Sequence, residues 1–197
     1  PGVAASGEFS FAADVRFDIG AGDRNWETLF DFGGGPADSN IWLGRDATSD
    51  DLHLTVYNGA TELDNLVVSN ALQGIEGQWH HVAVSLDAGG QLELFLDGVL
   101  AGSKAVGGVP DYSAWDEFYI GSSSWSADKQ FQGAIDNIVV FDSAIDAAMA
   151  ADLASGSAPG STAAFTEDGG AVVLADAAKV LDPEASAFDN TPGLLLT

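Results

Sequence analysis

Residues 77–98 read GQWHHVAVSLDAGGQLELFLDG, and the fold is decided there. Val82, Val84 and Leu86 alternate with smaller or polar residues, which is the period of a strand. Leu92, Leu94 and Leu96 repeat the pattern after the turn-forming run Asp87-Ala88-Gly89-Gly90. With Val84 opposite Leu94, Leu86 meets Leu92 and Val82 meets Leu96 on one face. His81 then falls across from Asp97 on the other face, which also carries Trp79 and Phe95. Asp97-Gly98, between Leu96 and Val99, is a favoured two-residue hairpin link. The stretch predicts a β-meander with two apolar faces, as in a strand inside a sandwich.

Working outward, residues 8–17 (EFSFAADVRF) alternate, with Phe9, Phe11, Ala13, Val15 and Phe17 on one face and Glu8, Ser10, Ala12, Asp14 and Arg16 on the other. That predicts a strand with one buried and one wet face. Further strands are expected from Trp26 to Phe32, around Ile41 and Leu43, over Leu52, Leu54 and Val56, from Glu117 to Gly121, and from Ile135 to Phe141. Glu62-Leu63-Asp64, just after Asn58-Gly59, reads as part of a turn, and Gly102–Asp116 and Ser122–Gln130 read as loops. One helix is expected, capped by Asp146, with Met149 and Leu153 on one face and Gly156 as its stop. The fold class is therefore all-β: a jelly-roll-like antiparallel β-sandwich with one short helix.

The pattern WHHVAVS…LELFLDG resembles the laminin-G-like branch of the concanavalin A-like lectin/glucanase superfamily. EFSFAADVRF at residues 8–17 resembles its early strand, and FQGAIDNIVVF at residues 131–141 its late one. The resemblance implies a sandwich over residues 1–154, and it speaks to fold more than to function, since such folds carry lectins, adhesion modules, glycanases and spacers. Laminin-G-like domains usually have one or two strands before the position of Phe9, so an open sheet edge is expected here. A Ser/Gly/Pro-rich linker follows over 155–162. Residues 163–197 resemble the opening of a cadherin-like or immunoglobulin-like repeat of large bacterial surface adhesins. This β-rich tail is expected to dock as a strand, giving a route to self-association, or to begin a separate repeat.

The chain has 30 acidic and 6 basic residues, a formal charge of −24. Nucleic acid is excluded as a partner, because phosphate binding needs clustered Lys and Arg. No stretch approaches a membrane span, so no membrane insertion is expected. There are no cysteines, hence neither disulfides nor thiolate metal sites. With Pro1 at its start and no signal-like run, the chain reads as a processed piece of a secreted protein, extracellular or on a bacterial surface.

Self-repulsion at this charge points to screening by divalent cations, and Ca²⁺ suits carboxylate and carbonyl oxygens. The resemblance implies a structural Ca²⁺ bound by an acid in the last long strand, here Asp136, with Glu8 or nearby carbonyls as partners. The other reading is an Asp136 hydrogen-bonded to backbone at a sheet corner. A rim site for Ca²⁺ is a second expectation, drawing on loop aspartates Asp18, Asp23, Asp46, Asp50 and Asp51, which otherwise form merely solvated loops. His80 and His81 point to opposite faces and cannot chelate one ion together. Trp115 and Trp125, with Tyr112 nearby, are the aromatic candidates for stacking on a sugar, and Asp46, Asp50 and Asp51 are candidate polar contacts. Each tryptophan can instead fold back as a lid on the core. No pair of carboxylates with glycosidase spacing is evident, and Glu62-Leu63-Asp64 and Glu27…Asp31 lack a third acid. The expectation is a non-catalytic, Ca²⁺-stabilised module of a secreted adhesin that binds a glycan or cell-surface ligand. The alternatives are a structural spacer or assembly subunit completed by strand addition, and, more remotely, a glycan-degrading enzyme or its accessory domain.

Overall fold

The computed structural model describes residues 6–18, 24–45 and 49–156. The chain divides into two units, Pro1–Ser157 and Ala158–Thr197. The second unit, and with it every expectation for the 163–197 tail, lies outside the described residues.

Among the described residues of the first unit there are ten strands: β1 (Phe9–Phe17), β2 (Glu27–Gly33), β3 (Ile41–Arg45), β4 (Leu52–Asn58), β5 (Thr61–Val68), β6 (Trp79–Leu86), β7 (Gln91–Leu96), β8 (Val99–Ala105), β9 (Glu117–Ile120) and β10 (Gly133–Phe141). One α-helix follows, α1 (Ala147–Ala154). The strands make two five-stranded sheets, β10-β1-β6-β7-β8 and β5-β4-β3-β2-β9. Every named pairing is antiparallel. Among the described residues, no helix is long and apolar enough to cross a membrane.

The meander has the register read from its sequence: Val82 faces Leu96, Val84 faces Leu94 and Leu86 faces Leu92. Asp97 and Gly98 both have positive φ, 49° and 76°, as a tight two-residue hairpin turn requires. The inner faces of the two sheets meet in one core. Phe9 and Phe11 of β1 pack across it on Phe30 and Phe32 of β2, with ring centroids 4.4–6.2 Å apart. Each such buried ring stabilises the fold by roughly 2–3 kcal/mol through lost apolar exposure.

The outer face of β1 departs from expectation. Ser10 and Ala12 are fully buried rather than wet. Ala12 and Ala83 form a flat floor on which Phe95, Ile145, Ala150 and Leu153 pack, so α1 covers that end of the first sheet. Asp146 caps the helix by accepting from Met149 N at 2.9 Å. Ser10 Oγ accepts from Ile145 N at 3.1 Å and donates to Ser143 O at 2.8 Å, which ties the incoming chain to the sheet.

Two other differences matter for function. The segment containing Glu62-Leu63-Asp64 is not a turn but part of β5, paired along β4 with a bulge between Val56 and Tyr57. The loop expected from Gly102 begins later, because β8 runs on to Ala105. Among the described residues, β9 and β10 are terminal strands of their sheets. Phe118, Ile120, Ile138 and Val140 are all well exposed there.

Candidate functional site

The second sheet carries the site on the face turned away from the core. Its core-facing residues include Ile41, Leu43, Leu54, Val56 and Leu66. Strand alternation sends their neighbours outward. The pairings align Tyr119, Asp31, Trp42, Thr55 and Asn65 in one row, one residue from each strand. Such a row on a sheet's outer face is ordinarily wet and polar. Here an indole lies at its centre, only 5% exposed.

Around this row a cleft of about 270 Å³ is lined by Trp26, Trp42, Thr55, Tyr57, Glu62, Asn65, Trp125 and Asp128. Trp42 Nε1 donates to Thr28 Oγ1 at 3.0 Å, and that hydroxyl donates to Trp26 O at 3.1 Å. Trp26 itself sits in a turn with φ 56° and is 38% exposed, its ring 6.0 Å from Trp42 and 5.9 Å from His53. Trp125 comes from the 122–130 loop and packs beside Tyr57 at 5.8 Å.

Asp31 holds that loop in place. One carboxylate oxygen accepts from Asn40 Nδ2 at 2.7 Å. The other accepts from Ser124 N at 2.8 Å and Ser124 Oγ at 2.7 Å, with Ser123 Oγ at 3.4 Å. A carboxylate that is almost wholly buried is tolerable only with such donors. Burial pushes the Asp128 carboxyl up from the usual range, and nearby Asp31 adds to it, against hydrogen bonds involving Ser123 and Trp42. Tyr57 donates its hydroxyl to Glu62 Oε2 at 3.1 Å. Burial, then Glu62, push that phenol up to about 12. Asn65 Nδ2 is hydrogen-bonded to His53 Nδ1 at 2.9 Å, whereas the buried Asn65 Oδ1 has no hydrogen-bond partner among the described residues. The cleft thus combines flat apolar rings with polar groups that mainly accept hydrogen bonds.

Of the residues expected to bind ligand, Trp125 lies in this cleft. Trp115 does not. It packs on Phe9, Phe32, Tyr112 and Phe118, and its Nε1 donates to Ser39 O at 2.6 Å, so it closes the core instead of standing exposed. Tyr112 is buried beneath it, and burial raises its phenol above the ordinary range. Asp50 accepts from Arg45 Nη2 at 2.8 Å, and Asp51 accepts from Asn70 N at 2.7 Å, so both brace loops. Asp46 lies outside the described residues.

Among the described residues, the expected Ca²⁺ ligands are not brought together. Asp136 is exposed, not buried, because β10 is a terminal strand with a register shift where it passes Asp14. Its Oδ1 accepts from Asn137 N at 2.8 Å. Asp136 pairs with Asp14, six positions along β1 from Glu8, or roughly 20 Å away at strand rise. Glu8 accepts from Ala144 N at 3.1 Å, and Asp18 pairs with Arg16 at 3.0 Å. Asp23 lies outside the described residues. Among those described, no three acids or histidines converge, so they do not fit an ion that takes six to eight oxygens. His80 bonds Asp97 and His81 bonds Asp14, each at 2.8 Å, so each imidazole has its own carboxylate partner.

Trp26, Trp42, Thr55, Tyr57, Asn65 and Asp128 carry no site expectation from the sequence, and Glu62 is weighed there only as part of an incomplete set of acids in a turn. One signal was present: Trp42 lies between Ile41 and Leu43, and so on the face opposite the core. Glu62 was hidden because the bulge breaks the alternation of β5.

A family model described as the concanavalin A-like lectin/glucanases superfamily, of laminin-G type, matches residues 2–151. The chain belongs to that superfamily. No curated protein matches its sequence significantly. Among solved structures, the CBM40 domain of the Ruminococcus gnavus IT-sialidase is similar with a TM-score of 0.61 and 16% identity, over 77% of this chain and 85% of that one. The same domain bound to α2,3-sialyllactose gives a TM-score of 0.60 and 14% identity, over 75% and 82%. Domain 4 of an extracellular arabinanase from Geobacillus stearothermophilus, in complex with arabinotriose, gives 0.54 and 21%, over 75% and 66%. At these identities the superfamily member shares its fold with them.

Proposed function

We propose that this domain is a non-catalytic carbohydrate-binding module and that its glycan lies in the cleft over the second sheet. The observation that carries the reading is the tryptophan and tyrosine lining of that cleft. Aromatic rings give a pyranose or furanose a flat apolar face to rest on, while Asn65, Thr55, Glu62 and Asp128 offer polar contacts. Similar folds bound to sialyllactose and to arabinotriose support the ligand class. An extracellular role, as one module of a larger surface protein, is supported by the extracellular arabinanase among its structural neighbours.

Trp125→Ala tests the reading. Trp125 is partly exposed and carried on a loop, so its loss should leave the melting temperature nearly unchanged. Affinity for the best glycan found on an array should fall about tenfold or more by titration calorimetry, as for a hot-spot aromatic. Unchanged affinity would move the site off the cleft. Release of reducing sugar from a bound oligosaccharide would replace binding with hydrolysis.

A further inference from the structure

We infer that the cleft selects an uncharged glycan and turns away anionic sugars; this rests on the carbohydrate-binding reading and narrows it. Among the described residues, the charged ones lining the cleft are Glu62 and Asp128, with no lysine or arginine beside them. A sugar carboxylate or sulfate is held by cationic donors, most often a bidentate arginine.

Of the six cationic side chains in the sequence, five are described, and none of these five lines the cleft. Arg24 and Arg45 are nearly buried and both hydrogen-bond Glu76, at 3.0 and 2.7 Å. Arg16, in the other sheet, pairs with Asp18 and lies over the Trp79 ring. Lys104 is bound to Asp64 at 2.7 Å. Lys129 follows Asp128 but does not line the cleft, and Lys179 lies outside the described residues.

The polar complement is biased towards acceptors. Asn65 Oδ1 has no partner among the described residues, and its amide nitrogen is already committed to His53. The carboxylates of Glu62 and Asp128 accept and cannot donate while ionised. Sugar hydroxyls match this set, since each can donate without bringing a net charge that must be desolvated. An anionic ligand finds two like charges, Glu62 and Asp128, in a chain of formal charge −24. The inference therefore separates this chain from the sialidase module crystallised with sialyllactose, despite the shared fold.

Titration of the full chain at low salt against matched probes decides the matter. The neutral probes are lactose, arabinotriose, xylotriose, cellotriose and chitotriose; the anionic ones are 3′-sialyllactose and trigalacturonate. The expected result is binding to at least one neutral probe, lost with Trp125→Ala, and at least tenfold weaker binding of each anionic probe. The double variant E62Q/D128N should narrow the gap between lactose and 3′-sialyllactose. An anionic probe that binds best and is lost with Trp125→Ala overturns the inference and leaves the cleft reading standing. Binding that survives Trp125→Ala, or no binding to any probe, overturns the cleft reading and the inference with it.

Discussion

Asp31 shows what a single residue contributes here. It is 1% exposed, and both its oxygens are engaged by Asn40, Ser123 and Ser124. Asp31→Ala strands those donors and frees the loop that presents Trp125. Bonds to a buried carboxylate are worth more than neutral ones, so a loss of about 2–4 kcal/mol is expected in urea unfolding. Glycan affinity should fall with it, although Asp31 does not line the cleft. Asp136 is the useful contrast. Being exposed, it should tolerate Asp136→Asn within about 0.5 kcal/mol. Equal effects of the two substitutions would show that burial and bonding do not rank these acids.

At the scale of the element, β3 depends on Gly44. A Cβ there would lie 2.5 Å from the Trp42 ring and 2.6 Å from Glu27 O. The glycine therefore lets the indole lie flat along its own strand, where Thr28 Oγ1 fixes its nitrogen. In Gly44→Ala the ring must move, since the backbone of the paired strand β2 cannot easily yield. Overpacking of this kind costs roughly 1–3 kcal/mol. The expected signs are altered tryptophan fluorescence and at least a tenfold loss of glycan binding. A variant with unchanged spectrum and affinity would mean that Trp42 is not held by this contact.

For the whole molecule, charge sets the response to pH and salt. A formal charge of −24 and a pI near 4.1 mean strong self-repulsion at neutral pH. Acidification from neutrality relieves it. Glu27 acts in the same direction: burial raises its carboxyl above the ordinary range, despite Gln132, Arg24 and Arg45, so its cost grows as pH rises through that raised value. Asp14 acts in the opposite one. Burial works to raise it, but hydrogen bonds with Asn137 and His81 outweigh that and hold it below the usual range. Its contribution is present above the unfolded carboxyl pKa, about 3.9, and is lost as pH falls through the depressed folded value. The melting temperature should therefore peak at mildly acidic pH, and salt at about 0.5 M should flatten the neutral side of the curve by screening. Calorimetry across the acid-to-neutral range measures both. A melting temperature that falls steadily from neutral pH downward would overturn the account.

The meander and the core followed from the sequence because strand alternation is local: Val82, Val84, Leu86 and Leu92, Leu94, Leu96 can face one another in only one useful register. The Asp146 cap and the superfamily were legible for the same reason, being carried by contiguous residues. The tertiary structure alone decided the rest. It packed Trp115 against the core and exposed Asp136, since neither a loop's landing place nor a strand's position at the end of its sheet shows in its own residues. It also assembled the cleft from Trp26, Trp42, Tyr57, Glu62 and Trp125, which come from separate segments. Alternation places Trp42 on the outer face, but only strand order shows which neighbours share that face. A single bulge in β5 was enough to hide Glu62, because one extra residue reverses which side every later side chain takes.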